Sequence, residues 1–482
     1  MSRLRARRPA VLVLAVAIVL FGASAVGWGV RQWSRSRNVH AAIPARPDLA
    51  GWHPAFAARL AEAETRAQGW SDAVTAMEEL GALYHANGFF AEAVTCYELL
   101  IRLEPRDARW HHALASIHSM FGRLEEAEPL YAEASNLAPD YLPARLRLAD
   151  VRLKANRVRE AAMTYGEVLQ RESSHPYALL GLARCAITEG NWREARAFLQ
   201  RAIASDAEFI GGLSLMITVH EHFGETEEAT RRRARVGNRE FVDYADPWID
   251  ELAEEYCYDG YRLSVASAIA RHAGDVPRAI RLLQRAIQLA PDVAAYRRHL
   301  GRIYHAMRNY PAAVEQLQNA TRVDPGDSDS WVVLVEVYAA MGQSAASEQT
   351  LATALKACPG SAALHQMWGR RHLQKRRYPE AIAALQESKR LRPNEAVAYI
   401  DLAQAYFALG RVEAGTNELR AALTVLPGQP VALTILASHA INSGDEREAR
   451  RLIAQLRQQT RASRDDLSQL ERQFAAAFGV LP

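Results

Sequence analysis

A 34-residue recurrence governs what this chain can fold into. Between Val74 and Asp107, the residues Leu80, Gly81, Tyr84, Gly88, Ala93, Tyr97 and Pro105 stand at frame positions 7, 8, 11, 15, 20, 24 and 32. A step of 34 lands on Leu114, Ala115, His118, Gly122, Ala127, Tyr131 and Pro139. Five contiguous copies begin at 74, 108, 142, 176 and 210; after 16 additional residues, six more begin at 260, 294, 328, 362, 396 and 430. A unit of this length is too small to bury an apolar face alone and is stabilised by stacking on its neighbours. The length of 482 residues would otherwise suggest about three domains, but an array needs no separate cores.

The columns of the frame specify helices. Position 20 reads Ala93, Ala127, Ala161, Ala195, Ala229, Ala279, Ala313, Ser347, Ala381, Gly415 and Ala449. An unbroken run of small side chains marks a close approach of two backbones, where a larger residue would overpack. Position 8 supplies small partners in most copies, among them Gly81, Ala115, Ala149, Ala183, Gly301, Gly369 and Ala403. Leucines at position 7 and Tyr or Leu at position 24 keep the 3.6-residue period that puts them on one helical face. Position 15 is Gly in eight copies and Asn156 in a ninth, where a first helix must end in a left-handed residue. Position 32 carries Pro105, Pro139, Pro291, Pro325, Pro359, Pro393 and Pro427, which stop a second helix.

This spacing and pattern resemble the tetratricopeptide repeat, a pair of antiparallel helices that stacks into a solenoid. The resemblance implies an all-α superhelical array of 11 helix-turn-helix repeats with capping helices. The expected organisation is a basic N-terminus and transmembrane anchor over 1–30, a linker over 31–51, an N-terminal capping helix within 52–73 and repeats one to five over 74–243. An inserted helix over 244–259, repeats six to eleven over 260–463 and a C-terminal capping helix within 464–482 complete it. Within the caps, Phe56, Leu60 and Ala63, and Leu467, Leu470, Phe474 and Phe478, fall at helical spacing.

Val11 to Val30 is a 20-residue stretch without a formal charge, preceded by Arg3, Arg5, Arg7 and Arg8. At about 1.5 Å per residue it is long enough to cross a bilayer core. Two readings stand, a retained signal-anchor helix and a cleaved signal peptide with its site at Ala23-Ser24-Ala25. Four arginines before the segment against Arg31, Arg35 and Arg37 after it place the N-terminus in the cytoplasm. Arg supplies nearly all the basic residues, which suggests a GC-rich bacterial genome and hence a solenoid on the periplasmic side of the inner membrane. Residues 1–47 carry eight arginines and no acid; removing them from the net +3 leaves −5, a mildly acidic remainder that argues against nucleic acid as a ligand.

The 16 extra residues begin a helix at Asp246-Pro247. Trp248, Ile249, Leu252, Ala253 and Tyr256 lie on one face, and Asp250, Glu251, Glu254 and Glu255 on the other. Those acids are expected to pair with the preceding cluster Arg231, Arg232, Arg233, Arg235 and Arg239. Phe241, Tyr244, Trp248, Tyr256 and Tyr258 form an aromatic group that serves either as a seam between the two blocks of repeats or as a ligand contact.

Signals for catalysis are absent. The chain has no G-x-x-x-x-G-K-S/T, G-x-G-x-x-G, G-x-S-x-G or H-E-x-x-H, and Cys96, Cys185, Cys257 and Cys358 form no C-x-x-C. His220 and His222 point about 200° apart on a helix, a poor metal pair. No cofactor and no metal site is expected, and binding is what remains. The family resemblance implies ligands on the surface lined by the first helix of each pair, at frame positions 2, 5, 9, 12 and 13. Tyr261, Arg271, His272, Arg298, Arg302, His305 and Arg370 are the candidate peptide-binding residues. They form either a basic groove for an acidic or C-terminal carboxylate peptide or a solvated face. The Lys-Asn clamp of chaperone-binding members of the family is missing. The expected function is a membrane-anchored scaffold or adaptor. A noncatalytic subunit presenting substrate to an envelope-biogenesis or cytochrome-assembly complex, or a mitochondrial preprotein receptor, is the alternative.

Overall fold

The computed structural model describes residues 28–237, 241, 243–457 and 464–479, and among them there are helices and no strands. They fall into two compact units, Met1–Leu289 and Ala290–Pro482. The expected membrane-crossing segment lies, through residue 27, outside the described residues; no described helix is long and apolar enough to cross a membrane.

The first unit opens with α1 (28–42) and α2 (Pro54–Ala67). Five pairs follow: α3 (Ala73–Asn87) with α4 (Phe90–Leu103), α5 (Ala108–Met120) with α6 (Leu124–Leu137), α7 (Leu142–Lys154) with α8 (Val158–Arg171), α9 (Pro176–Thr188) with α10 (Trp192–Ser205), and α11 (Ile210–His222) with α12 (Thr226–Val236). The single helix α13 (Pro247–Glu255) then precedes a sixth pair, α14 (Gly260–His272) with α15 (Val276–Leu289). The second unit holds α16 (Ala294–Ala306), α17 (Tyr310–Val323), α18 (Ser328–Ala340), α19 (Ser344–Ala357), α20 (Ala362–Gln374), α21 (Tyr378–Leu391), α22 (Ala396–Ala408), α23 (Val412–Val425), α24 (Pro430–Asn442), α25 (Glu446–Arg457) and α26 (Arg464–Phe478).

The small-residue column does what its chemistry requires. Every residue at position 20 is buried, most of them completely. At position 8 the missing Cβ makes room for position 24 of the same pair. A Cβ built on Gly301 would stand 2.7 Å from Leu317 Cγ, and one on Gly369 2.5 Å from Leu385 Cγ. Successive pairs stack through α4 on α5, α6 on α7, α8 on α9 and α10 on α11. At the far end of the second unit, α26 covers α24 and α25 with Leu470 and Phe474, both essentially without solvent exposure.

Position 15 is left-handed in all eleven copies. The eight glycines have φ of 71° to 87° and Asn156 has 60°; in the two remaining copies Arg308 and Arg376 adopt 59° and 58°. The hydrogen bonds are those of the glycine copies: Arg308 N donates to His305 O and Arg376 N to Leu373 O. The hairpin geometry of the pair therefore overrides residue preference at these sites. A side chain in this region costs about 1 kcal/mol. Arg308→Gly and Arg376→Gly are accordingly expected each to raise stability by roughly 0.5–1 kcal/mol, read as an upward shift in the urea midpoint at unchanged slope.

Residues 31–51 are not the linker expected. Helix α1 runs through residue 42, with Val39 fully buried and Ser36 nearly so. Its Arg35 donates to Leu103 O at 3.3 Å and pairs with Glu104 at 3.5 Å. The inward stripe Ser36, Val39, Ile43 contains one small polar residue, and that hides its helical period among Arg, Ser and Asn.

Candidate functional site

Helix α13, expected to separate repeats five and six, instead crosses the inner helices of repeats one and two. After α12 the chain doubles back, and α13 packs on α3 and α5 as well as on α14. Residues 243–258 form a strap along the row of first helices. At one end the inner positions of repeats three and four receive Tyr244, whose ring meets Tyr177 at 5.4 Å with Arg147 over it at 4.4 Å. Tyr244 Oη donates to Asp150 at 3.0 Å, and Tyr165 Oη donates to the other oxygen of the same carboxylate at 2.6 Å.

Asp246 is the central attachment. Nε2 of the fully buried His112 lies 3.0 and 2.9 Å from its two oxygens, and Tyr141 Oη donates at 2.6 Å. Arg147 adds an ion pair at 3.5 Å while holding Asp243 at 2.5 Å. Asp246 thus does not cap α13 with its side chain, as the Asp-Pro signal suggested; its backbone N–H instead donates to Asp250 Oδ2 at 3.0 Å. The Trp248 ring stacks on Tyr141 at 3.6 Å and 9°, and Trp248 N–H donates to Tyr141 Oη.

At the other end the receiver reads main chain. Asn87, buried in α3, donates to Tyr256 O at 2.8 Å and accepts from Tyr258 N at 2.6 Å. Arg59 covers the Tyr256 ring at 4.7 Å, and Tyr258 lies against Phe56 at 5.7 Å. The residue types and their order (carboxylate receivers, an aromatic platform, an amide matching a peptide bond) are those of a peptide site.

The acids of α13 pair forward. Asp250 and Glu254 bind Arg278 at 3.0 and 2.7 Å, and Glu254 also meets Arg281 at 3.3 Å. The preceding arginines are engaged elsewhere: Arg231 with Glu228, Arg233 with Glu221 and Arg232 with His220 within repeat five, and Arg235 with Glu208 at the end of repeat four. Those partners sit three residues away, on α11 or in the turn before it, and no pair between these arginines and the acids of α13 occurs among the described residues; Arg239 lies outside them. The aromatic group runs along repeats one to four, and its Tyr258 also meets repeat six through Arg285 at 5.2 Å. Tyr244, Trp248, Tyr256 and Tyr258 line the groove of the first repeats, and Phe241 rests beside Tyr177 and Arg184 over the space left by Gly211.

The seven basic-groove residues divide between the units. In the first, Tyr261 is exposed, and Arg271 bonds its neighbour His272 at 2.9 Å. In the second, Arg298 is held by Asp327 at 2.5 Å and Arg370 by Asp401 at 2.7 Å, while His305 stands near Tyr310 and Arg302 is exposed. Two of the expected cations are therefore neutralised by carboxylates, Arg298 by the last residue of its own repeat and Arg370 by Asp401 of the following one. No recurring column marks either pair, because Asp327 stands at frame position 34 and Asp401 at position 6. His220 and His222 turn to separate partners, Glu225 and the Trp192 ring. No group of three metal-ligating side chains occurs among the described residues, and all four cysteines are buried thiols.

Burial alone would raise the pKa of Asp246, but the bonds from His112 and Tyr141 and the charge of Arg147 outweigh it and hold the carboxyl below its usual range. A depressed folded value contributes stability above the unfolded pKa, near 3.9, and that contribution is lost as pH falls through the folded value. Asp150 is shifted the opposite way by burial and gains as pH falls; Asp243 and Asp250 face the same cluster. Hydrogen-exchange protection of α13 is expected to hold from pH 7 to pH 5 and to fall away below about pH 4.

Comparison with known proteins gives a consistent picture. Family matches described as "Tetratricopeptide repeat" cover residues 79–141, 152–210, 270–328, 306–367 and 367–430. Cellulose synthase 1 operon protein C of Komagataeibacter xylinus is 28% identical over 254 residues, 49% of this chain and 18% of that protein. Superkiller protein 3 of Saccharomyces cerevisiae is 22% identical over 302 residues, 60% of this chain and 21% of that protein. The chain thus spans about a fifth of the length of these relatives. Among solved structures, yeast Tom70 has a TM-score of 0.38 at 14% identity, covering 84% of this chain and 96% of its own. YrrB, a TPR protein with an unusual peptide-binding site, has a TM-score of 0.30 at 17% identity, covering 39% and 97%.

Proposed function

The chain belongs to the tetratricopeptide-repeat family, and from that premise we propose that it is a membrane-tethered, noncatalytic scaffold that holds a protein partner near a bacterial envelope membrane. The observation that carries the reading is the groove of the first unit, where a stretch of chain is already held through side chains at inner positions of the repeats. Repeats that bind one segment in this manner have the chemistry to bind another. The tether rests on the uncharged stretch Val11–Val30 and on the indoles at its end and beyond it. Trp28, Trp33 and Trp70 are about half exposed, with Trp28 edge-on to Trp70 at 5.9 Å. Exposed indoles beside arginines suit the headgroup layer of a bilayer.

The kinship with cellulose synthase operon proteins supports a narrower form, a subunit that positions other proteins of an envelope polysaccharide machine without chemistry of its own. Affinity purification of the tagged full-length chain from detergent-solubilised membranes tests both. A stoichiometric enzyme partner supports the narrower form and a non-enzymatic partner the scaffold alone; recovery from the soluble fraction, without partner, would overturn the proposal. Charge reversal at Arg302 is the clean probe of the second unit's basic face. Arg298→Glu and Arg370→Glu would set like charges against Asp327 and Asp401 and perturb folding as well as binding.

A further inference from the structure

We propose that residues 243–258 are a displaceable internal ligand, and that the groove beneath them takes an acidic, aromatic-bearing segment of a partner protein in their place. The inference rests on the scaffold reading and adds what the groove recognises and what guards it. Four observations support it. The first is that the strap is no member of the repeat frame: α11–α12 and α14–α15 are complete pairs on either side of it, and repeat six meets it through α14 and through Arg278, Arg281 and Arg285. Releasing it removes no member of the frame.

The second is the manner of its docking. Helix α3 buries ten residues, whereas the nine-residue α13 buries none and the strap is buried only at Asp246 and Cys257, on either side of that helix. The third is incomplete filling. A cavity of about 130 Å³ remains beneath α13, lined by Glu78, Tyr97, Arg109, Trp110, Trp248 and Tyr256. Lining atoms around such a gap forgo part of their dispersion contacts.

The fourth is the chemistry of the receivers. His112, Tyr141 and Arg147 converge on one carboxylate, the Tyr141 ring stacks one indole, and Asn87 engages the main chain at Tyr256 and Tyr258. Each serves any segment that presents an acid two residues from an aromatic ring and an extended stretch beyond it. The favoured ligand is therefore anionic and aromatic, which sets it apart from the acidic or C-terminal carboxylate peptide that a basic groove would select. While the strap is seated, a partner sees only the fraction of molecules in which it has lifted, and apparent affinity falls by that fraction.

The test uses the full-length chain and a fluorescein-labelled synthetic peptide with the sequence of residues 243–258. Asp246→Ala/Trp248→Ala weakens the internal ligand without changing any receiver side chain. This variant is expected to bind the peptide about 30-fold more tightly than wild type, and Tyr141→Ala added to it to reverse at least about tenfold of the gain. Equal binding by wild type and the opened variant at unchanged helicity overturns the proposal, as does indifference to Tyr141→Ala. A dimer of the opened variant that excludes the peptide would assign the groove to a second copy and overturn it too. Should the variant lose helicity, wild type decides: saturating peptide is expected to accelerate hydrogen exchange in α13, and unchanged exchange sinks the idea. None of these readouts depends on co-purification, so a failure here leaves the scaffold reading standing on its own test.

Discussion

Asp246→Ala is expected to lower the stability of the first unit by on the order of 3 kcal/mol and to expose the strap to protease. The effect exceeds that of removing an ordinary hydrogen bond because the carboxylate serves several buried groups at once. Its loss leaves His112, fully enclosed, and Tyr141 without an acceptor, and leaves Arg147 with Asp243 as its remaining acidic partner there. Trp248 then loses the Tyr141 orientation that its stack and its N–H bond both use. A urea titration read by circular dichroism measures the first quantity, and limited proteolysis followed by mass spectrometry locates the second. A double-mutant cycle with His112→Ala should give a coupling of about 2 kcal/mol. Additive behaviour would mean that the carboxylate and the imidazole do not act as a unit.

Gly369→Leu is the second large effect, and it falls in the other unit. A Cβ at this position stands 2.5 Å from Leu385 Cγ, 2.7 Å from Leu385 Cδ2 and 3.3 Å from Ala381 O. Backbone on one side and a branched carbon on the other leave nowhere for it to go, so α20 and α21 must separate. A loss of about 3 kcal/mol is expected, with local exchange rising in α20 and α21 before the rest of the unit because repeats couple only to neighbours. Gly360→Ala is the control: no atom lies within 4 Å of its Cβ, and it should change stability by less than about 0.5 kcal/mol. A Gly369→Leu chain as stable as this control would refute the close-approach account of the small-residue columns.

Most of the repeat architecture was legible because the frame repeats the same local demands. Ten first helices begin at frame position 1 and the eleventh, at Ala73, one residue before it. The glycines of position 15 announced left-handed turns, yet Arg308 and Arg376 adopt the same turn without any such signal, since eleven similar hairpins leave the backbone no other path. Helix α1 escaped notice because one fully buried valine on a polar helix produces no apolar period. The aromatic insert was visible as a group, and its helix began where Asp-Pro placed it. Its destination was not visible: Asp246 meets His112 and Tyr141 across 134 and 105 residues of sequence.

From the sequence alone came what recurs from frame to frame, namely helix pairs, their turns and their tight interfaces, together with the capping of the array. Only the tertiary structure decided that the insert returns over repeats one to four, and that Arg298 and Arg370 are spent on the carboxylates Asp327 and Asp401. The physical reason is one of range. Period and propensity report forces acting over a few residues, whereas a buried carboxylate finds its donors wherever chain closure brings them, and no periodicity records that meeting.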